Sequence, residues 1–162
     1  MSKILVVEDS RFFSTLIEKT IRRDLGFEVV LAATFEEAKQ AIERETFFLS
    51  LLDLQLPDAL DGEVVDFVTA KGIPVIVFSG MYSDEMRERI LSKNVIDYVV
   101  KDSPSSLSYL VSVVRRVHKN QGVKVMVVDD SSTVRKYISN LLASYQLQVL
   151  GAADGKAALD LL

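Results

Sequence analysis

The first hundred residues alternate between short apolar runs and longer segments with mixed polarity. The apolar runs are four or five residues long, are rich in Val, Ile and Leu, and lie at 4–7, 28–31, 49–52, 74–78 and 96–100. Strands that are covered by helices on both faces have this composition, whereas strands with one solvated face alternate between apolar and polar residues. The runs therefore predict five buried parallel strands.

The segments between these runs have the periodicity of amphipathic helices. One-sided apolar stripes occur in the first, third and fifth segments: Phe13, Leu16, Ile17 and Ile21; Val64, Phe67 and Val68; Leu107, Leu110, Val111 and Val114. A capping box at 34–37 and a Ser-Pro pair at 103–104 indicate helix starts. Five βα units in series predict an α/β fold, doubly wound around a five-stranded parallel sheet.

The pattern begins again near residue 124. KVMVVDDSS at 124–132 repeats the arrangement of KILVVEDSR at 3–11, and residues 3–42 align with 124–162 after one deletion. A repeat of this length is the size of a domain. The sequence therefore predicts a complete domain at 1–120 and the N-terminal part of a second copy, β-α-β-α, at 121–162. The second copy has too few strands to bury its own helices, so we expect 124–162 to be unstable alone.

Composition narrows the functional class. Hydrophobic residues make up 49% of the chain, which indicates a packed core rather than disorder. The net charge of −4 disfavours direct nucleic-acid binding, and the absence of cysteine excludes disulfides and zinc–thiolate sites. No apolar run approaches the roughly 20 residues that span a bilayer, and the N-terminus does not resemble a secretion signal. We expect a soluble cytoplasmic protein with no membrane contact.

Polar residues follow four of the five predicted strands: Glu8, Asp9, Asp53, Ser79 and Lys101. The carboxyl ends of parallel strands share one edge of a sheet, which is where such folds bind ligands. Taken singly, each residue also suits an ordinary helix cap, loop or solvated surface. Three carboxylates at one place raise each other's pKa and are destabilising unless a cation offsets them, and Mg²⁺ prefers such oxygen ligands. A metal site beside a lysine and a hydroxyl suits phosphoryl transfer.

Residues 2–120 resemble the receiver domain of two-component response regulators, because an acidic pair, an aspartate, a small hydroxyl and a lysine follow strands 1, 3, 4 and 5. The resemblance implies a flavodoxin-like sheet with strand order 2-1-3-4-5, Mg²⁺ as the cofactor and Asp53 as the phosphoacceptor. A histidine kinase or a histidine phosphotransfer protein is the implied donor. An output domain or effector protein is the implied partner downstream.

The resemblance also implies a metal site. Its ligands are Asp9, Asp53 and the backbone carbonyl of Gln55, with Glu8 acting through water. In the second copy, Asp129 and Asp130 take the places of Glu8 and Asp9. The counterpart of Asp53 falls near position 173, beyond Leu162, so we expect the chemistry to belong to the first copy.

Ser79, Lys101 and Tyr98 are the residues that the resemblance assigns to phosphoryl binding and switching. Ser79 and Lys101 bind the phosphoryl group, and Tyr98 turns inward when the hydroxyl moves. The chain departs from the family pattern after Lys101, where Asp102 replaces the usual proline. The family's usual cis peptide then loses its support, because a non-proline cis bond costs about 3 kcal/mol. The loop after Asp53 is also one residue longer than is common.

Three functions remain open from the sequence. The first is a phosphorylation-controlled receiver that assists its own phosphoryl transfer but is not otherwise an enzyme. The second is an interaction module with the same fold that works without phosphorylation, which the altered Lys101–Asp102 junction motivates. The third is the regulatory input half of a longer enzyme such as a diguanylate cyclase. The charged residues at 86–89 with Asp97 suit a solvated surface, or alternatively a homodimer face.

Overall fold

The computed structural model describes residues 2–162. Its strands are β1 (Lys3–Val7), β2 (Glu28–Ala32), β3 (Leu49–Leu52), β4 (Val75–Ser79), β5 (Asp97–Val100), β6 (Lys124–Val128) and β7 (Gln148–Ala152). Its helices are α1 (Arg11–Leu25), α2 (Phe35–Arg44), α3 (Glu63–Ala70), α4 (Asp84–Leu91), α5 (Pro104–Asn120), α6 (Ser132–Ser144) and α7 (Gly155–Asp160). Each of the five predicted strands is found within one residue at either end.

The first five strands form one parallel sheet in the order β2-β1-β3-β4-β5. This order confirms the predicted α/β, flavodoxin-like, doubly wound fold. The order reverses between β1 and β3, where Val7 lies opposite Leu52. The residues that follow these two strands therefore meet at the edge where doubly wound sheets bind ligands.

The centre of the sheet is fully buried. Four consecutive side chains of β1, at positions 4–7, are at most 1% exposed. Helix α1 covers one face with Ile17 and Ile21, whereas Leu16 from the same predicted stripe is partly exposed. Burying an aliphatic side chain of this size contributes about 1.5–3 kcal/mol, so the interior strands are a rigid support for the residues at their ends.

Helix starts agree with the capping residues in the sequence. Ser10, Thr34 and Ser83 each accept a hydrogen bond from a backbone N–H of the helix that follows. The expected box at 34–37 has one difference, because the Glu37 carboxylate accepts from the Ala33 N–H. Helix α5 begins at Pro104, as predicted.

Residues 115–162 form a second compact unit, and the first unit ends at Val114. The sequence placed the boundary about six residues later, at the end of α5. The Asn120 side-chain amide donates to the Tyr145 carbonyl at 2.9 Å, and both residues belong to the second unit. In that unit β6 pairs with β7 in parallel, and α6 and α7 follow the strands.

No helix within residues 2–162 is both long enough and apolar enough to cross a membrane.

Candidate functional site

Four of the predicted site residues meet at the carboxyl edge of the first sheet. Glu8 follows β1 and Asp53 follows β3, and the Asp53 N–H donates to the Val7 carbonyl at 2.9 Å. Ser79 ends β4 and Lys101 follows β5, and the Lys101 N–H donates to the Ser79 carbonyl at 2.9 Å. The backbone ladder therefore continues past the strand ends and fixes where these side chains begin.

Three carboxylates lie together at this edge. Oxygen atoms of Glu8, Asp9 and Asp53 are all within 4.8 Å of one another. Glu8 and Asp53 are buried, at 4% and 7% exposed, whereas Asp9 faces solvent. Hard oxygen ligands with an open, solvated side are the donor set that Mg²⁺ prefers, because this ion keeps several waters. The residues present therefore fit a magnesium ion.

Burial affects the protonation of Glu8. Desolvation raises the pKa of its carboxyl group above the ordinary value, and the Lys101 ammonium partly opposes this effect. The backbone N–H of Ser10 donates to one oxygen of Glu8 at 3.1 Å. The acidic pair is thus held by the first residues of the β1–α1 connection, which also place Asp9 beside it.

Lys101 links the two buried carboxylates. Its ammonium group forms ion pairs with Glu8 and with Asp53, the second at 2.6 Å, and its side chain is 5% exposed. Removing one member of such a buried pair typically costs about 3–5 kcal/mol, because the other charge stays desolvated. Three ionised carboxylates and one ammonium leave two negative charges, which one divalent cation neutralises.

Ser79 supplies a hydroxyl to the same aspartate. Its Oγ donates to Asp53 Oδ1 at 2.7 Å and accepts from the Met81 N–H at 3.4 Å. The Gln55 N–H also donates to Asp53 Oδ1, at 3.2 Å. Both oxygens of Asp53 therefore have hydrogen-bond donors: Ser79 and Gln55 on Oδ1, and Lys101 on Oδ2. The Gln55 backbone carbonyl as a metal ligand stays a prediction.

Tyr98 lies inside the first unit, next to this cluster. Its side chain is 5% exposed and its hydroxyl donates to the Met81 carbonyl at 2.5 Å. Burial raises the pKa of Tyr98, and the negative charge of Asp53 raises it further. Met81 therefore contacts both Ser79 and Tyr98, so the short β4–α4 connection joins the predicted hydroxyl to the predicted aromatic switch.

The peptide between Lys101 and Asp102 is trans, like all peptides of residues 2–162. Asp102 accepts hydrogen bonds from the hydroxyls of Ser106 and Ser103, at 2.7 and 3.0 Å, and these bonds lower the pKa of its carboxyl group. The residue that replaces the usual proline therefore anchors the start of α5. Lys101 reaches Asp53 with this junction in place.

The sequence predicted two aromatic residues of the site, Phe13 and Phe78, only as members of a buried helix face and a buried strand. The Lys101 ammonium lies 5.0 Å from the ring centroid of Phe13 and 5.5 Å from that of Phe78. Phe13 belongs to the apolar stripe of α1, and Phe78 belongs to β4. Hydrophobic periodicity places both near the core but contains no information about a contact with a cation in another element.

The second acidic pair is arranged like the first. Asp129 Oδ1 accepts from the Ser131 N–H at 2.8 Å, as Glu8 does from Ser10, and Asp130 is exposed. Within residues 2–162, the acidic cluster with metal-ligating geometry is the one at Glu8, Asp9 and Asp53. The role of Asp129 and Asp130 stays a prediction.

Comparison with solved structures gives a match along the whole chain. A putative two-component system response regulator/GGDEF domain protein is 38% identical, with a TM-score of 0.92 over 100% of this chain and 66% of that one. The signal receiver domain of a putative LuxO repressor protein from Vibrio parahaemolyticus is 27% identical, with a TM-score of 0.63 over 70% of this chain and 87% of that one.

Curated relatives match about three quarters of the chain. The probable transcriptional regulator ycf27 of Porphyridium aerugineum is 34% identical over 121 residues, which cover 72% of this chain and 50% of that protein. Transcriptional regulatory protein CrdR of Helicobacter pylori is 26% identical over 129 residues, which cover 76% of this chain and 58% of that protein. The chain thus spans about half the length of the curated relatives it matches.

The sequence profile of the response regulator receiver domain matches residues 4–114, which is more than half of the chain. The same residues contain the five-stranded sheet and the cluster around Asp53. On this evidence the chain belongs to the response regulator receiver domain family of two-component systems.

Proposed function

We propose that this chain is a phosphorylation-controlled receiver that accepts a phosphoryl group on Asp53 from a histidine kinase or a histidine phosphotransfer protein. One observation carries the proposal. The buried Asp53 carboxylate is contacted at once by the Ser79 hydroxyl and the Lys101 ammonium, and it lies beside Glu8 and Asp9. These are a nucleophile, two donors for phosphoryl oxygens and an oxygen-ligand set for a cation.

The transfer itself is a substitution at phosphorus. An oxygen of Asp53 forms the new P–O bond while the P–N bond to the donor histidine breaks, and the electron pair of that bond leaves with the imidazole nitrogen. The product is an aspartyl phosphate, and the imidazole takes up a proton from water. Magnesium bound by Asp9, Asp53 and the Gln55 carbonyl, with Glu8 through water, would neutralise charge on the phosphoryl oxygens.

The residues around Asp53 must change partners as the product forms. Ser79 and Lys101 now donate to the Asp53 oxygens, and after transfer they donate to the phosphoryl oxygens instead. Movement of Ser79 displaces Met81, whose carbonyl holds the Tyr98 hydroxyl. Because the β4–α4 connection contacts both Ser79 and Tyr98, a new dianion at Asp53 changes how this connection and Tyr98 pack.

Incubation with Mg²⁺ and acetyl phosphate tests the proposal. We expect the intact mass of the wild type to increase by one phosphoryl group, and we expect Asp53→Asn to remain unmodified. The asparagine variant keeps the shape of the side chain, and comparing its circular dichroism spectrum with that of the wild type shows whether it is folded. An unmodified wild type, or equal modification of a folded Asp53→Asn, contradicts the proposal.

The trans peptide at Asp102 bears on the alternative of a phosphorylation-independent interaction module. That alternative was motivated by the loss of proline after Lys101, yet Lys101 still contacts Asp53.

The structure match to a response regulator/GGDEF domain protein supports a different extension, in which the receiver regulates an output of the diguanylate cyclase class. In this proposal the chain works in the cytoplasm and is not itself an enzyme beyond assisting its own phosphorylation.

The second unit extends the proposal to a tandem arrangement. We propose that 121–162 is the N-terminal part of a second receiver, because β6 and α6 repeat β1 and α1 together with their acidic pair. Among residues 2–162, those proposed here for phosphoryl transfer lie in the first unit.

A further inference from the structure

The Lys101 ammonium has aromatic as well as acidic neighbours. Glu8 and Asp53 pair with it, and the rings of Phe13 and Phe78 lie 5.0 and 5.5 Å from its nitrogen. The two rings pack against each other edge to face, with centroids 6.4 Å apart and planes at 85°. We call Phe13 and Phe78 the aromatic clamp.

The clamp brings together residues of separate elements. Phe13 lies in the first turn of α1, where its N–H donates to the capping Ser10 hydroxyl at 3.5 Å. Phe78 lies in β4, directly before Ser79, and is buried. Lys101 follows β5. Each ring is therefore fixed by its own helix or strand, independently of the lysine side chain beside them.

We propose that Phe13 and Phe78 are positioning residues for phosphoryl transfer, and that they hold the Lys101 ammonium at Asp53 through cation–π contacts. The proposal rests on the proposed function, because it concerns the same reaction. The lysine stem is flexible, and its charged end is nearly buried, so the ring faces replace part of the water that the ammonium has lost.

The Lys101 side chain has space beside it. Together with Phe13 and Phe78, it lines a cavity of about 420 Å³. The hydrogen bonds of Asp102 to Ser103 and Ser106 fix the backbone after Lys101 but not its ammonium. The position of the charged end therefore depends on the two carboxylates and the two rings.

The carboxylates change during the reaction, whereas the rings do not. When Asp53 becomes an acyl phosphate, one of its oxygens is bonded to phosphorus and the carboxylate charge is lost, balanced by the electron pair that leaves with the donor. The negative charge at the site then lies on the phosphoryl oxygens. The faces of Phe13 and Phe78 offer the same attraction before and after the transfer. The clamp therefore keeps the ammonium within reach of the phosphoryl oxygens while its anionic partners change.

Phosphorylation rates of matched variants test the role of the clamp. With acetyl phosphate and saturating Mg²⁺, we expect Phe13→Leu to reduce the rate constant about threefold to tenfold, which lies within the range that cation–π energies imply. Phe13→Tyr, which keeps a ring, should restore the rate. Phe12→Leu is the control, because this neighbouring ring contacts Phe13 but is 69% exposed.

A double-mutant cycle separates positioning from general damage to the fold. In a Lys101→Ala background, the additional change Phe13→Leu should leave the residual rate unchanged, because the ring then has no ammonium to hold. A cooperative thermal unfolding transition of each variant is the control that it is folded. An equal loss in both backgrounds, or a Phe13→Leu rate equal to that of the wild type, overturns the proposal while the proposed function stands.

The NMR signal of the Lys101 side chain gives a readout that does not depend on phosphorylation. In the unphosphorylated protein, we expect its ε-methylene protons upfield of the position they have in an unfolded chain, because the adjoining ammonium lies over two aromatic rings. Phe13→Leu should move this signal toward the unfolded-chain position, and Phe12→Leu should not. Lys39 and Lys71, which also lie over rings, are not used as references. If the wild type is not phosphorylated, the proposed function fails, and this signal still decides whether the clamp holds Lys101. An unshifted signal in the wild type overturns the clamp.

Discussion

At the scale of single residues, hydrogen bonds from Ser79 and Lys101 hold the Asp53 carboxylate in place. In the proposed reaction these two donors later bind the phosphoryl oxygens instead. Asp53 Oδ1 accepts from Ser79 and its Oδ2 from Lys101, at 2.7 and 2.6 Å. Charge-assisted bonds of this length are stronger than neutral ones, and they orient the carboxylate before a donor arrives. The same bonds connect Asp53 through Ser79 and Met81 to Tyr98, which makes the phenol of Tyr98 a reporter of the site.

The raised pKa of Tyr98 predicts that the protein becomes less stable at alkaline pH. Burial and the nearby Asp53 charge raise the Tyr98 pKa in the folded protein above the ordinary 10.0, so the unfolded chain loses this proton first. The contribution of Tyr98 to the free energy of unfolding is therefore complete below pH 10 and is lost as the pH rises toward the folded pKa. We expect the melting temperature to fall above pH 10 in the wild type and to fall less in Tyr98→Phe. Identical alkaline profiles of the two proteins, measured by circular dichroism, argue against this assignment.

At the scale of elements, the loop between β3 and α3 is tied to the start of α2. The Asp58 carboxylate accepts from the N–H groups of Phe35 and Glu36, at 2.8 and 3.0 Å. These are the first donors of α2, which have no partner inside the helix, and the helix dipole also favours a negative charge there. The longer loop after Asp53 thus places a capping carboxylate on a neighbouring helix.

Asp58→Asn should lower the melting temperature by a few degrees at neutral pH, because asparagine has no charge for the helix end. The backbone hydrogen bonds of Phe35, the larger cause, and of Glu36 lower the pKa of Asp58 below 3.8, so its stabilising effect is present above that pH. The difference between variant and wild type should shrink as the pH falls through the folded pKa. Asp61→Asn, in the same loop, is the control. A constant difference at all pH values contradicts the electrostatic part of this account.

The elements that the sequence predicted are those whose signals are local. Short runs rich in Val, Ile and Leu identified β1 to β5. The residues after the strands identified Glu8, Asp53 and Lys101 as neighbours, because parallel strands share an edge. The clamp and the Asp58 cap depend on contacts between residues tens of positions apart. Periodicity shows that Phe13 faces inward, but not which side chain it meets.

At the scale of the whole molecule, the strands and helices after α5 repeat the beginning of the first unit. They are β6, α6, β7 and α7, the counterparts of β1, α1, β2 and α2. Within residues 2–162, β6 pairs with β7 alone, whereas its counterpart β1 pairs with β2 and β3. Helix α6 has no buried residue, and its Tyr137 is 66% exposed, whereas α1 buries Ile17 and Ile21. A two-stranded sheet with one uncovered helix face has little apolar burial to offset its conformational entropy.

A fragment of residues 124–162 should therefore not fold alone. We expect its circular dichroism to change gradually with temperature, and we expect a fragment of residues 1–120 to unfold in one cooperative transition. The larger fragment is the control, since it contains the complete five-stranded sheet. A cooperative transition of the isolated 124–162 fragment would show that the second unit has a sufficient core of its own.

The identity of the phosphorylated residue tests the central claim most directly. Borohydride reduces an aspartyl phosphate to homoserine, which tandem mass spectrometry locates in the sequence. After incubation with acetyl phosphate and Mg²⁺, our account predicts homoserine at position 53 and at no other acidic position. Homoserine at Asp9, Asp129 or Asp130, or none at all in a phosphorylated protein, would contradict it.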